Sequence, residues 1–350
     1  MEKLTHRTLI TSPENLQYSY YLSPDFNDKL KENVPTLMFL HGYPDDAYMW
    51  AGAVPTFLSL RYPFIIIDLL GFGDSSKPID TKLYNYKTQS TSISQILDLE
   101  KVPNNIIPIG HDWGSATSQR FYLYNKHRCI GLSLLSLAYQ IPSPNPFNLT
   151  SANEETSQRF GYPQWEYWNF FTHPDAANLM RKNIERFYEV NHGNFIDENS
   201  GRDVWMREMF CSPHAMYDYV TQTGTWKDRI VELKPYARDP ELFARFKERM
   251  TRDGFEGPVQ YYHSLKDNSM IEDERAILEE EDGARIEVPV LYIGQTGDWV
   301  CRTDLMDDAK KAGLVRDLEE RVVEAGHWVL YEKPLEIAGI LEEWLGRRFG

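Results

Sequence analysis

The chain has 350 residues, enough for two domains or for one large α/β domain with an insertion, and enough to bury a core without disulfides or metals. Its 37 basic and 52 acidic residues give a formal charge of −15, which argues against nucleic acid and anionic membranes as partners. The three cysteines, at positions 129, 211 and 301, have neither metal-ligand spacing nor the spacing of a disulfide framework.

No segment of the chain resembles a signal peptide or a membrane helix. The first residues lack an apolar stretch, and nothing approaches the ~18 uninterrupted apolar residues that a membrane helix needs. We therefore expect a soluble cytoplasmic protein without a transmembrane segment. We expect no cofactor and no metal. Either a monomer or a homodimer is compatible with the sequence.

In chain order, short strand patterns come first. Residues 5–11 and 16–22 mix Thr, Ile, Tyr and Leu, which predicts a β-hairpin. Continuous apolar runs then predict buried strands, with amphipathic segments between them. These runs lie at residues 36–40, 64–67, 105–110, 130–137, 288–294 and 321–323, and a final amphipathic helix is predicted at 334–344. Such alternation is typical of a mostly parallel sheet with helices on both faces.

The character of the sequence changes in the middle of the chain. Pro142, Pro144 and Pro146 open a loop, and the segment 139–286 is dense in aromatic residues with helical charge spacing. We therefore expect a discontinuous core domain, 1–138 with 287–350, and a mainly helical lid at 139–286.

The most informative motif is Gly110-His111-Asp112-Trp113-Gly114, which ends the apolar run at 105–110. A nucleophile between two such glycines, between a strand and a helix, is typical of the nucleophile elbow of α/β-hydrolases. Asp112 stands where serine is usual. Because an unperturbed Asp titrates near ~4, it is ionised at neutral pH and can attack saturated carbon without a base. The alternative role for a lone Asp before a helix is an N-cap.

Two further residues complete a catalytic pattern. Asp298 follows the predicted strand 288–294, and His327 follows the predicted strand 321–323. The chain order nucleophile, acid, histidine is that of an α/β-hydrolase. Because the carboxyl ends of parallel strands share one edge of a sheet, we expect Asp112, Asp298 and His327 to converge.

With these motifs, the chain resembles the α/β-hydrolase-fold epoxide hydrolases along nearly its whole length. The resemblance rests on His41-Gly42-Tyr43-Pro44, on DLLGFGDSS from Asp68 to Ser76, on the Asp112 motif, and on Gly326-His327-Trp328 followed by Lys333-Pro334. It implies a mostly parallel eight-stranded sheet, an inserted helical lid, and a small-molecule, apolar epoxide as substrate.

The resemblance also implies roles for individual residues. Two lid tyrosines hydrogen-bond the epoxide oxygen in this family, and they match Tyr167 and Tyr262 best, with Tyr162 and Tyr261 as alternatives. Asp112 would form an ester, which water activated by His327 and Asp298 would hydrolyse. The backbone N–H groups of Tyr43 and Trp113 would form the oxyanion hole. The substrate pocket would include His41, Pro44, Trp165 and Trp328.

The sequence departs from the family pattern in three places. Pro108 lies inside the predicted elbow strand, where it removes a ladder donor, so we expect a local irregularity near Asp112. Ser115 replaces a residue that is often Gly or Ala in the family. The lid is also longer than usual, which affects the shape of the pocket more than its chemistry.

Several other functions compete with epoxide hydrolysis. A haloalkane dehalogenase shares the Asp nucleophile and the following Trp. It also needs halide donors, usually an Asn or a second Trp side chain, and position 43 here is Tyr in an HGxP rather than an HGN context. Fluoroacetate dehalogenases usually have Arg where Trp113 stands. A serine esterase or C–C hydrolase is disfavoured because no Gly-x-Ser-x-Gly occurs. A ligand receptor on the same fold would not need all of Asp112, Asp298 and His327.

Overall fold

The computed structural model describes residues 1–350 and divides into two compact units. We call Met1–Asn145, Met270–Thr296 and Cys301–Gly350 the sheet unit, and Pro146–Ser269 with Gly297–Val300 the inserted unit. None of the helices is both long enough and apolar enough to cross a membrane.

The first part of the sheet unit alternates strands with helices. Its strands are β1 (Thr5–Thr11), β2 (Leu16–Leu22), β3 (Thr36–Leu40), β4 (Phe64–Asp68), β5 (Ile106–His111) and β6 (Leu132–Leu135). Its helices are α1 (Phe26–Lys29), α2 (Val54–Ser59), α3 (Tyr86–Leu99) and α4 (Trp113–Tyr124). The hairpin predicted at 5–11 and 16–22 is confirmed residue for residue.

The inserted unit is mainly helical, with one two-stranded sheet of very short strands. Its elements are α5 (Leu149–Phe160), α6 (Trp168–Phe171), α7 (Ala176–Lys182), α8 (Ile184–His192), β7 (Gly193–Asn194), α9 (Trp205–Cys211), α10 (Ala215–Thr221), β8 (Glu232–Leu233), α11 (Pro240–Asp253) and α12 (Gln260–Lys266). Buried aromatic side chains fill it, as the composition of this segment indicates.

The chain then returns to the sheet unit. The remaining elements are α13 (Ile271–Glu279), β9 (Val290–Gln295), α14 (Met306–Lys311), β10 (Leu318–Val323), α15 (Val329–Glu332) and α16 (Pro334–Phe349). Short 3₁₀ helices occur at Leu30–Glu32, Ala47–Trp50, Thr81–Tyr84, Lys126–Arg128, Pro235–Arg238 and Thr303–Leu305.

Eight strands form one sheet in the order β1-β2-β4-β3-β5-β6-β9-β10. β2 pairs antiparallel with β1 and β4, and every other pair is parallel. Every residue of β3, β4 and β5 is buried, as expected for apolar strands covered on both faces. The predicted mostly parallel eight-stranded sheet is confirmed.

Pro108 causes no break in β5. It pairs in register with Met38 of β3. On the side of β6, Ile106 forms an isolated bridge with Cys129, and the regular ladder begins at Ile109, which pairs with Ser133. The pairing with β6 is thus interrupted around the proline. Ser115 also has a structural role: its hydroxyl donates to the carbonyls of Gly110 (2.7 Å) and Leu135 (3.0 Å).

The end of the insertion packs with the sheet unit up to residue 286. Arg120 of α4 donates two hydrogen bonds to Glu274 of α13, at 2.7 and 2.8 Å, in a buried ion pair. Tyr139 donates to the carbonyl of Ala284 at 2.6 Å. Residues 270–286, which the sequence analysis assigns to the lid, therefore lie in the sheet unit.

Candidate active site

The turn between β5 and α4 holds Asp112 in an unusual backbone conformation. Its φ of 53° and ψ of −119° are sparsely populated by residues other than glycine, and such strain is often found at functional sites. The flanking glycines permit a close approach: a methyl group on Gly114 would lie 2.2 Å from the carbonyl oxygen of Leu40, and one on Gly110 would lie 2.1 Å from the carbonyl oxygen of Gly114. The sharp turn thus needs both glycines.

The two carboxylate oxygens of Asp112 have different surroundings. Oδ1 accepts a hydrogen bond from the backbone N–H of Tyr43 at 2.9 Å. Oδ2 lies 3.7 Å from Nε2 of His327. The Asp112 side chain is 18% exposed, and it stands at the N-terminus of α4, where the helix dipole favours a negative charge. One oxygen is held by the backbone and the other faces the histidine.

His327 lies in the loop between β10 and α15, and two residues of the sheet hold its backbone. Nε2 of His111 donates to the His327 carbonyl at 2.8 Å, and the hydroxyl of Ser136 reaches the same oxygen at 3.5 Å. The Trp328 ring packs edge-on against the imidazole, with the ring centroids 4.9 Å apart. The sequence did not predict these roles of His111 and Ser136; the only available signal was that His111 adjoins Asp112.

The turn after β3 is fixed by His41, whose role differs from the one predicted. Its ring is fully buried; Nδ1 donates to the Gly42 carbonyl (3.0 Å) and Nε2 accepts from the N–H of Leu69 (2.9 Å). His41 is predicted to line the substrate pocket; in the structure both of its ring nitrogens bond the backbone of the turn. The buried Pro44 follows a cis peptide bond.

Asp68, the first residue of the DLLGFGDSS segment, supports the same turn from β4. Its carboxylate accepts from the N–H groups of Ala47 (2.8 Å) and Asp74 (3.4 Å). Burial, and then the nearby charge of Asp46, raises the pKa of Asp68 to about 7. The segment thus contributes structure to the turn that holds Tyr43.

In the inserted unit, Tyr167 and Tyr262 lie against each other. Their ring centroids are 5.9 Å apart at an interplanar angle of 85°, and both residues are more than nine-tenths buried. Trp168 and Phe171 pack against Tyr262, and Phe210 packs against Tyr167. This aromatic packing fixes both phenol rings. Trp165, which is partly exposed, packs edge-on against Trp168 with the ring centroids 5.8 Å apart.

The alternative tyrosines have other environments. Tyr162 donates its hydroxyl to the carbonyl of Trp299 at 2.9 Å. Tyr261 is fully buried. Neither is therefore placed in the Tyr167–Tyr262 pair.

Asp298 follows β9, but it packs as part of the inserted unit. Its side chain is almost fully buried, and Oδ1 accepts the N–H of Val300 at 3.0 Å. The structure thus brings Asp112, His327 and Tyr43 together in the sheet unit. It groups Tyr167 with Tyr262 in the inserted unit, where Asp298 also lies.

Comparison with known proteins identifies the fold family. The family model described as alpha/beta hydrolase fold matches residues 35–334, which span the sheet strands from β3 to β10. The chain belongs to this α/β-hydrolase family. Asp112, Asp298 and His327 occur in the chain order that this fold uses for its nucleophile, acid and histidine.

Among α/β-hydrolases, the chain is similar to proteins named as epoxide hydrolases. It is 25% identical to epoxide hydrolase srdG of Neurospora crassa over 98% of this chain and 96% of that one. It is 21% identical to bifunctional epoxide hydrolase 2 of Sus scrofa over 89% of this chain and 51% of that protein. The crystal structure of epoxide hydrolase A from Mycobacterium thermoresistibile superposes with a TM-score of 0.74 at 20% identity, covering 98% of each chain.

Proposed function

We propose that this protein is an epoxide hydrolase that converts an apolar epoxide to a vicinal diol through a covalent ester on Asp112. One observation carries the proposal: a carboxylate replaces the serine at the elbow, with one oxygen bonded to Tyr43 N–H and the other 3.7 Å from His327. A carboxylate needs no base to attack saturated carbon. Similarity to named epoxide hydrolases over 98% of the chain supports the same reaction.

In the first step, Oδ2 of Asp112 forms a bond to an epoxide carbon while the carbon–oxygen bond of the ring breaks. Tyr167 and Tyr262 donate hydrogen bonds to the departing oxygen, and one of them gives it a proton. Their edge-on packing and their burial support this role, because phenol rings that are already fixed lose little entropy in the reaction.

In the second step, His327 removes a proton from water, and the oxygen of that water adds to the carbonyl carbon of the ester. Oδ1 becomes the oxyanion and is stabilised by the N–H of Tyr43, which already bonds this oxygen, and by the N–H of Trp113. Asp298 orients the imidazole. The ester bond then breaks, His327 returns the proton to the leaving oxygen, and the diol departs. The second proton of the water, left on the Asp112 carboxyl, replaces the proton that the tyrosine gave up in the first step.

Isotope labelling tests this sequence of bonds. In a single turnover in ¹⁸O-water, the diol should carry unlabelled oxygen from Asp112, and the label should enter the Asp112 carboxylate. A labelled diol in the first turnover would mean direct attack by water and would overturn the proposal. Asp112→Asn should form no ester once deamidation is excluded by intact mass; a rate within about tenfold of wild type would contradict the nucleophile assignment.

A substrate panel separates this function from a dehalogenase. Aryl and aliphatic epoxides and matched haloalkanes should be offered to the same preparation, with diol and halide release measured. Diol release without halide release supports the proposal. Halide release without diol would assign Asp112 to dehalogenation instead.

A further inference from the structure

The loop that carries Asp298 is packed into the inserted unit, although both of its ends belong to the sheet unit. The chain leaves β9 at Gln295, passes through Gly297–Val300 and re-enters the sheet unit at Cys301. Four residues of a core connection thus pack with another part of the protein. Contacts with the rest of the inserted unit hold these four residues in place.

The Trp299 side chain is the main anchor. Its indole N–H donates to the carbonyl of Asp203 at 2.9 Å. The guanidinium groups of Arg202 and Arg207 lie 4.3 and 4.9 Å from the ring centroid, close enough for cation–π attraction. Tyr162 packs edge-on against the same ring, with the centroids 6.0 Å apart.

The backbone that follows Asp298 is also held. The carbonyl of Trp299 accepts the hydroxyl of Tyr162 at 2.9 Å, and the carbonyl of Val300 accepts the amide N–H of Gln164. Gln164 is fully buried, so its amide cannot exchange this bond for water. Val300 in turn donates its N–H to Asp298 Oδ1, so Gln164 and Asp298 bind the same residue.

The receiving loop is itself ordered by Asp203. The carboxylate of Asp203 accepts the N–H groups of Phe195 and Trp205, each at 3.0 Å, and lies 3.2 Å from the ammonium of Lys234. The Asp203 carbonyl that accepts the indole N–H of Trp299 therefore belongs to a turn that is itself held by hydrogen bonds.

We propose that Tyr162, Gln164 and Trp299 are positioning residues, which hold Asp298 and through it set the rate of ester hydrolysis. This inference rests on the proposed function, in which Asp298 acts only through His327. Because Asp112 attacks without a base, loosening the loop slows the second step and spares the first. The inserted unit then has two roles: Tyr167 and Tyr262 serve ester formation, and the three positioning residues serve ester hydrolysis.

Single-turnover kinetics of Trp299→Phe and Tyr162→Phe test the inference, with the ester quantified by rapid quench and intact mass. Tyr162→Phe removes the hydroxyl donor and keeps the ring, and Trp299→Phe removes the indole N–H and keeps a smaller aromatic ring. We expect ester hydrolysis to slow about tenfold and ester formation to change less than twofold. The pH profile of hydrolysis should move to lower pH, because a displaced Asp298 stabilises the imidazolium less.

Tyr188→Phe is the matched control, because the hydroxyl of this buried tyrosine also donates to a carbonyl of the inserted unit, that of Ala237, at 3.1 Å. It should alter neither step. If ester hydrolysis slowed equally in the control and in Trp299→Phe, the Trp299 contacts would serve only the general stability of the inserted unit. Slower ester formation in Tyr162→Phe would make Tyr162 an epoxide donor. Either result overturns the inference.

The inference and the proposed function fail in different ways. If no ester accumulates in His327→Gln, the proposed function fails. If that ester forms and both Trp299→Phe and Tyr162→Phe hydrolyse it at the wild-type rate, only the positioning role fails. If Trp299→Phe does not fold, Tyr162→Phe alone tests the inference, because Tyr162→Phe removes only a single hydroxyl.

Discussion

His111 holds the backbone of His327: the imidazole Nε2 of the first donates to the main-chain carbonyl of the second at 2.8 Å. His111 is the last residue of β5 and directly precedes Asp112. The strand that precedes Asp112 therefore also fixes the loop of His327. The proposed nucleophile and the proposed base share one support, which keeps Oδ2 of Asp112 near Nε2 of His327.

Replacing His111 should disturb the base without touching the nucleophile. In His111→Phe the carbonyl of His327 loses a buried donor, so we expect the free energy of unfolding to fall by about 1–3 kcal/mol. Ester hydrolysis should slow more than ester formation. Urea unfolding and single-turnover kinetics measure the two effects. His111→Gln keeps a side-chain N–H donor, so its free energy of unfolding and its rate of ester hydrolysis should fall less. Equal decreases in both variants would contradict the role of this hydrogen bond.

The two chemical steps should separate in His327→Gln. Because Asp112 needs no deprotonation, the variant should still form the ester but fail to hydrolyse it. Intact-mass measurement should show protein plus one substrate after mixing with an epoxide. Absence of the adduct, with substrate binding demonstrated, would contradict the assignment of His327 to the second step alone.

Much of the fold could be predicted because its signals are local. Each sheet strand from β3 to β6 is a continuous apolar run, and the predicted bounds differ from the observed ones by at most two residues. Asp112 was identifiable because its two glycines and the preceding apolar run are adjacent in sequence. The predicted and observed ends of the strands differ where pairing with a neighbouring strand, rather than hydrophobicity, determines the last residue of the strand.

The features that the sequence did not predict depend on long-range contacts. The assignment of 270–286 to the sheet unit depends on the Arg120–Glu274 pair, whose partners are 154 residues apart. The packing of Gly297–Val300 with the inserted unit depends on the contact between Trp299 and Asp203. The backbone hydrogen bonds of His41 were not predicted, because its residue type fits either a pocket or a buried turn. No spacing rule in the sequence distinguishes these outcomes.

The tyrosine pair provides the sharpest test of epoxide chemistry. Removing one such hydrogen-bond donor typically costs about 2.7–4 kcal/mol of transition-state stabilisation, or two to three decades in rate. Tyr167→Phe and Tyr262→Phe should each slow ester formation by this order, and the double variant should be slower still. Stopped-flow fluorescence measures the step. Stability should change little, since only hydroxyl groups are removed.

Tyr261→Phe is the matched control for this pair, because Tyr261 is the fully buried neighbour of Tyr262. It should keep wild-type ester formation. If neither single variant nor the double variant slowed epoxide turnover by threefold, the two tyrosines would not be the donors. A loss confined to Tyr261→Phe would transfer the role to Tyr261.

Asp68 should make the stability of the fold depend on pH. Burial and the charge of Asp46 raise its pKa from 3.8 to about 7, so between these values the folded protein keeps a proton that the unfolded chain loses. The stability linked to this proton is fully present below about pH 4 and declines as pH rises towards 7. Asp68→Asn cannot ionise and should not show this decline.

Urea unfolding at several pH values measures the difference between wild type and Asp68→Asn. Relative to the variant, the wild-type free energy of unfolding should fall from pH 4 to 7 and then stay level. Asp228→Asn is the control, because the Asp228 side chain is 89% exposed, and it should follow the wild type. If the gap between wild type and Asp68→Asn did not change over this range, Asp68 would be ionised in the fold throughout. The turn that holds Tyr43 would then be supported by a buried charge.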